Sequence, residues 1–273
     1  LKEGITTKIV SPKVVTEKQA LKEVTKNDAI VIKLNELAKK GISPSSITNY
    51  LYNPMAFYKQ KVLRIREFDE VEEEVAFNTL GTVVHDTLEE LYIPFVGKFL
   101  LFEDVKNMQP KIKDVITKYF KEHFKNGDIR TGKNRLIFEV AVRFVANFLK
   151  QELDLLKDKK NELKIIGTEK NYEAIINVEG IEVPIKVHGQ VDRVDELNGI
   201  TRIIDYKTGM VTASELKITD YDKIRDYKYS KAIQVLLYAY MYMQTEKGID
   251  KPIQAGIYSF KNLKSGFLQL NFS

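Results

Sequence analysis

An α/β fold (α+β in arrangement, on a mixed sheet) with a large helical region ahead of it is the architecture that this 273-residue sequence predicts. Three observations predict it. Apolar residues recur at helical spacing before about position 160, most clearly at Leu80, Val84, Leu88 and Leu91. β-Formers then cluster or alternate from Leu163 to Tyr206. A second amphipathic stretch, Tyr229 to Thr245, follows, and two strand-like segments come after it.

Residues 1 to about 13 carry little pattern, and Thr16 to Lys40 is a charged, helix-prone stretch that Gly41 can end, so residues 1–41 read as a tail and a helix. Residues 42–273 read as one domain, helical over 42–160 and built on a sheet over 161–273. Ser43 can cap a helix with Pro44 at its first position, Asn53-Pro54 breaks it, and Met55-Ala56-Phe57-Tyr58 restarts it. The acidic run Glu67 to Glu74 suits a helix start, where the backbone dipole favours negative charge. Helices follow at Phe77 to Tyr92, Val105 to Phe124 and Asn134 to Lys159, the last with a stripe of Phe138, Val142, Val145, Phe148 and Leu149. Gly127 to Asn134 nearly matches a phosphate-binding loop. Asn134 stands where that loop needs a hydroxyl, and a helix rather than a strand precedes it, so the stretch reads as an interhelical turn.

Leu163 to Asn177 and Ile181 to Val187 read as a hairpin turning at Glu179-Gly180. Two further short strands hold Val191 to Leu197 and Thr201 to Tyr206. Met210 to Lys228 is a polar connection, Tyr229 to Thr245 a helix, and Ile253 to Phe260 and Gly266 to Phe272 two strands closing the sheet.

Composition removes several function classes. The chain has no cysteine, which excludes disulfides, thiolate zinc sites, a Cys nucleophile and a Cys-ligated iron–sulfur cluster, and fits a reducing compartment. Its net charge of +5 suits a polyanionic partner. No apolar run is long enough to cross a bilayer. The first residue is Leu1 rather than Met, which suggests a domain excised from a longer protein.

The chemistry concentrates between Gly189 and Gly209. Side chains alternate across a strand, so Asp205 and Lys207 share one face, and Asp192 on the preceding strand can pair beside Asp205. Two carboxylates and a lysine make a hard, oxygen-rich site suited to Mg²⁺ or Mn²⁺. Asp205 directly follows Ile203-Ile204, so it is expected at a buried edge where an unpaired charge is costly.

Asp192, then Asp205-Tyr206-Lys207-Thr208-Gly209, resembles the core motif of the PD-(D/E)XK nuclease superfamily. Gly189, Asp192, Arg193 and Asp195 fit the G-x-x-D-R-x-D pattern of its RecB/AddB-type exonuclease domains. Gly81 and His85 resemble the G-x-x-x-H helix of that branch, and Gln234 and Tyr238 its Q-x-x-x-Y helix. The segment from Ser43 through Asn53-Pro54 to Tyr58 resembles an element that carries a cluster-ligating cysteine in some members; Asn53 occupies that position here.

The resemblance implies a restriction-endonuclease-like core and hydrolysis of phosphodiester bonds with Mg²⁺ or Mn²⁺. Asp192, Asp205, the Tyr206 carbonyl, His85 and Glu169 would be metal ligands. Lys207 would orient water or stabilise the transition state. Gln234 would position Lys207 or a phosphate, and Tyr238, Lys228 and Lys231 would meet nucleic acid. His188 is a competing ligand candidate ranked below His85. The expected partners are single- or double-stranded DNA and a helicase domain or subunit, in recombination and repair in the cytoplasm and away from any membrane. Two alternatives stay open: a catalytically silent nucleic-acid-binding or structural module of such a complex, and a metal-dependent hydrolase of a small phosphorylated substrate. Exo- or endonucleolytic cutting is not fixed by the motifs.

Overall fold

The computed structural model describes residues 23–65, 77–124, 129–222, 224–246 and 251–272. The acidic run at Glu67 to Glu74, positions 16–22 of the expected first helix and Gly127-Asp128 lie outside them. Within them, helix α1 runs Asp28–Lys40, starting where Asn27 caps it by accepting from the Ile30 amide, and not near Thr16. Gly41 ends it at φ 120°, and that glycine seats the junction against the sheet: a Cβ there would lie 2.5 Å from the His188 ring. Ser43 caps α2 (Pro44–Tyr52) and Asn53 caps α3 (Pro54–Phe57), which passes into a π-helical turn, Tyr58–Val62.

Helix α4 spans Phe77–Tyr92. The single helix expected from Val105 to Phe124 is instead two, α5 (Phe102–Met108) and α6 (Ile112–His123), with a 3₁₀ turn at Gln109–Lys111 between them. Pro110 explains the break, since it has no amide hydrogen and its ring clashes with the preceding turn. Helix α7 is Gly132–Leu156.

The sheet is mixed, as predicted. Strands β1 (Leu163–Ile176), β2 (Ile185–Leu197) and β3 (Ile200–Lys207) pair antiparallel in sequence. After a short β4 (Lys217–Ile218), helix α8 (Ser230–Thr245) crosses over to β5 (Ile253–Ser259), which lies parallel to β3. Strand β6 (Leu268–Gln269) pairs with β5 at the sheet edge, giving the order β1-β2-β3-β5-β6. Two expectations change. Strand β2 runs unbroken through His188 and Gly189, so the hairpin's return strand and the Asp192 strand are one. The last segment splits, and β7 (Asn271–Phe272) leaves the main sheet to pair with β4.

Both faces of the sheet are covered. Ile204, Tyr206 and Leu163 face the helical region and pack with Val84, Leu88, Phe120, Val145 and Phe148. Ile203, Val194 and Ile257 face the other way, against Ala232, Val235 and Met241 of α8. A strand buried on both faces reads as a continuous apolar run, which is why β3 carries Ile203 and Ile204 side by side. Strands β3 and β5 end together at the paired Lys207 and Ser259, and the charged groups gather beside that end.

Candidate active site

Asp205 and Lys207 share the α8 face of β3. The Lys207 Nζ lies 2.8 Å from Asp205 Oδ1 and 2.7 Å from Oδ2. Gln234, one turn before Tyr238 on α8, donates through Nε2 to Asp205 Oδ1 and to the Tyr238 hydroxyl, each at 3.1 Å. Asp205 is thus held from two elements at once. Its Oδ2 is buried and accepts no hydrogen bond, meeting only the lysine's charge.

The β2–β3 register pairs Arg193 with Ile204, so the next step sets Asp192 across from Asp205. Asp192 Oδ2 accepts the Tyr206 amide and Oδ1 lies 3.4 Å from His85 Nδ1. The other ring nitrogen of His85 lies 3.0 Å from the Tyr206 carbonyl and is assigned as its donor. Helix α4 therefore reaches β3 between its two catalytic candidates.

Glu169 arrives by a different device. It sits in β1 at φ 45°, and the pairing of β1 with β2 passes from Thr168↔Arg193 to Lys170↔Val191 around it. The register is the same on both sides of it, which sets it opposite Asp192, and its carboxylate lies 3.8 Å from His85 Nδ1. A non-glycine residue held there costs of order 1–3 kcal/mol, so the strain is maintained by its surroundings.

His85, Glu169 and Asp192 each present one donor atom, all within 4.8 Å of one another. The chemistry of this set fits a divalent cation. With Nε2 donating, the bare Nδ1 of His85 points at two carboxylates, an arrangement that a proton or a cation must stabilise. Although burial opposes its charge, Asp192 and Glu169 raise the His85 pKa well above its ordinary value. Two carboxylate oxygens and one imidazole suit Mg²⁺ or Mn²⁺. Asp205 borders this cluster, its Oδ1 held by Lys207 and Gln234 and its Oδ2 without a hydrogen bond, and the Tyr206 carbonyl accepts from His85 with a second lone pair left over.

The charges differ in state. Burial pushes the Asp205 carboxyl up to about 6, against the pull of Lys207. Burial also opposes ionisation of Asp192, but His85 and Lys207 hold its pKa below the ordinary value. Burial raises Glu169. Lys207 loses some stability of charge to burial, yet Asp205 and Asp192 raise its pKa above that of a free lysine. It is an ammonium at neutral pH.

The remaining candidates lie further out. Tyr238 is 8 % exposed, packed under Gly189 with its hydroxyl on Gln234, so it supports the site from beneath. Lys231 pairs with Glu215 at 2.6 Å, and Lys228, near the start of α8, lies 3.9 Å from Asp226. His188 of β2 is exposed and paired opposite Glu173 of β1, apart from the cluster, while His123 pairs with Asp86 at 2.5 Å.

Behind the site is a buried ionic group that the motifs alone did not reveal. Arg193 meets Glu152 at 2.7 Å and Asp195 at 2.7 Å, and its guanidinium lies 4.5 Å from the centre of the Tyr92 ring. Arg202 grips Asp195 through two bonds of 2.7 and 2.9 Å. Tyr92 adds a hydroxyl to Glu152. The signal for Glu152 was available: it is the one carboxylate on the buried face of α7, in line with Val145, Phe148 and Leu149.

Glu169→Gly separates fold from function. Relief of the left-handed backbone and removal of a carboxylate whose ionisation burial disfavours are expected to raise metal-free stability by about 1 kcal/mol. Calorimetric titration with Mn²⁺ is expected to show weaker binding. Unfolding in EDTA that shows a less stable variant would overturn the account of strain.

The sequence profile of the PD-(D/E)XK nuclease superfamily matches residues 41–269. Uncharacterized proteins of Rickettsia felis and Rickettsia conorii are similar to the chain, 26 % and 25 % identical over 181 residues. Each match covers 65 % of this chain and 20 % of the relative, so the chain spans about a fifth of the length of these relatives. Among the described residues no helix is long and apolar enough to cross a membrane.

Proposed function

The chain belongs to the PD-(D/E)XK nuclease superfamily, and on that premise we propose that it is a divalent-metal-dependent deoxyribonuclease of the RecB/AddB type. It would degrade DNA from an end, in the cytoplasm, beside a helicase domain or subunit acting in recombination and repair. The observation that carries the chemical part is the Asp205–Lys207 ion pair set against the His85, Glu169 and Asp192 donors. The exonuclease and helicase parts are supported by the Gly189–Asp195, Gly81–His85 and Gln234–Tyr238 motifs.

Asp192, Glu169 and His85 would hold the metal, joined by Asp205 and the Tyr206 carbonyl. When bound, the ion supplies Lewis-acid polarisation of the phosphate and acidifies a water. Lys207, held as an ammonium by Asp205 and Asp192, would offset negative charge as the phosphorus centre becomes five-coordinate. Gln234 fixes the Asp205 carboxylate and so the direction in which Lys207 is held, and Tyr238 fixes Gln234. Lys228, exposed near the start of α8, is available to a phosphate.

The test is cleavage of end-labelled single- and double-stranded DNA with Mg²⁺ or Mn²⁺, wild type beside Asp205→Asn. The variant is expected to be inactive and fully folded. A carboxyl raised in the folded state binds its proton more tightly there, so its stabilisation is present at low pH and is lost as pH rises from the ordinary carboxylate value through about 6. At neutral pH the asparagine therefore removes a destabilising charge. A wild type that binds DNA without cutting it would point to the silent module instead.

A further inference from the structure

Two adjoining cavities lie on the outer side of β2. The first, about 630 Å³, is walled by α1, the α1–α2 junction and the π-helical turn. Lys33, Lys40, Lys61 and Arg64 line it against one carboxylate, Glu36. None of these four cations makes an ion pair with a described residue, whereas Lys118, Lys170, Lys186, Lys231 and Lys251 each meet a carboxylate within 2.6 Å. The whole chain carries a net charge of only +5, so much of its excess faces this one concavity.

The wall is fixed in place. Ile42 bridges to Val187, its amide donating to the Lys186 carbonyl at 2.9 Å and its carbonyl accepting the His188 amide at 3.2 Å. The second cavity, about 510 Å³, shares Lys40, Gly41 and His188 with the first and continues along β1 and β2 past Asn171 and Gly189. Asn171 is two residues from Glu169 and Gly189 three from Asp192. The two cavities thus adjoin along β2, on the strands that carry Glu169 and Asp192 a few residues further on. From His188 to Asp192 along β2 is about 13 Å at the usual rise of a strand, or about four base steps of a nucleic-acid strand at duplex spacing.

We propose that this pair of cavities is a phosphate track, in which the α1 cavity holds backbone phosphates of the strand several nucleotides from the bond being cut. The proposal rests on the nuclease reading for the identity of its ligand. Lys33, Glu36 and Lys40 precede the segment that matches the superfamily profile, whereas Lys61, Arg64 and His188 lie within it.

The test measures binding of fluorescein-labelled oligo(dT) in EDTA, for wild type and for Lys40→Gln/Lys61→Gln/Arg64→Gln, from about 50 to about 200 mM salt. Each lost contact to a single strand lowers the salt slope by about 0.7, so the variant is expected to be shallower by about 2. A variant that keeps both affinity and slope overturns the proposal. So does inorganic phosphate that competes with the oligonucleotide for wild type at equal phosphate concentration, which would mark a free-anion site. Hydrolysis of bis(p-nitrophenyl) phosphate with Mn²⁺ reads the chemistry separately, since that ester cannot reach the cavity from the metal donors. Wild type and variant are expected to hydrolyse it equally. Failure of the wild type on both this ester and DNA would remove the nuclease reading, whereas failure of the binding arm alone removes only the track.

Discussion

Lys207→Ala is expected to slow phosphodiester cleavage by about 10²- to 10³-fold, the usual cost of removing one preorganised charge from a reacting centre. The lysine sits 2.7 Å from a buried carboxylate and keeps its proton, so its contribution is electrostatic and is realised as charge develops. Lys207→Arg is expected to restore little, because a planar fork cannot occupy the place of a compact ammonium between Asp205 and a phosphate. The measurement is a single-turnover rate on saturating DNA, with thermal unfolding recorded beside it. A folded Lys207→Ala that cuts at the wild-type rate would reduce the lysine to a counter-ion for Asp205.

The second large effect falls on stability. Arg193→Met leaves Glu152 without its guanidinium in a site closed to water, and Glu152→Leu leaves Arg193 short of one carboxylate. Each single change is expected to cost about 3–5 kcal/mol, a large part of what a domain of this size has. The double variant removes a neutral pair and leaves another, Asp195 with Arg202, still joined by two hydrogen bonds. It is therefore expected to lose less than the sum of the two single losses, with a coupling of about 1–3 kcal/mol in urea unfolding. Additive losses would show that the four charges act as independent surface-like contacts.

What the sequence disclosed follows from how local each signal is. Asp205 and Lys207 are two apart on a strand, so their shared face needs only the alternation of side chains. Gln234 and Tyr238 are one helical turn apart for a similar reason, but whether Tyr238 faces solvent or core depends on where α8 lies against Gly189, and that is tertiary. Glu169 was placed on the right strand by pattern; its turn toward His85 depends on a backbone angle that pattern does not encode for a glutamate. Pro110 should have divided the helix at Val105 to Phe124, and the apolar spacing on either side of it masked the break. The two expected strands, Ile181 to Val187 and Val191 to Leu197, join in β2 through Gly189, which lets Tyr238 and Met241 approach closely.

The contact between His85 and the Tyr206 carbonyl joins positions 121 apart, and Gln234 completes the constellation from further along still. Closing a loop of that length costs about 4 kcal/mol of chain entropy, so the reacting groups come together only after both layers of the sheet have found their helices. Synthesis proceeds from the amino end, which delivers the histidine long before Asp192, Asp205 and Gln234 exist. A partly made chain therefore carries an inert fragment of the constellation, and hydrolytic capacity would appear late, as a property of the finished fold.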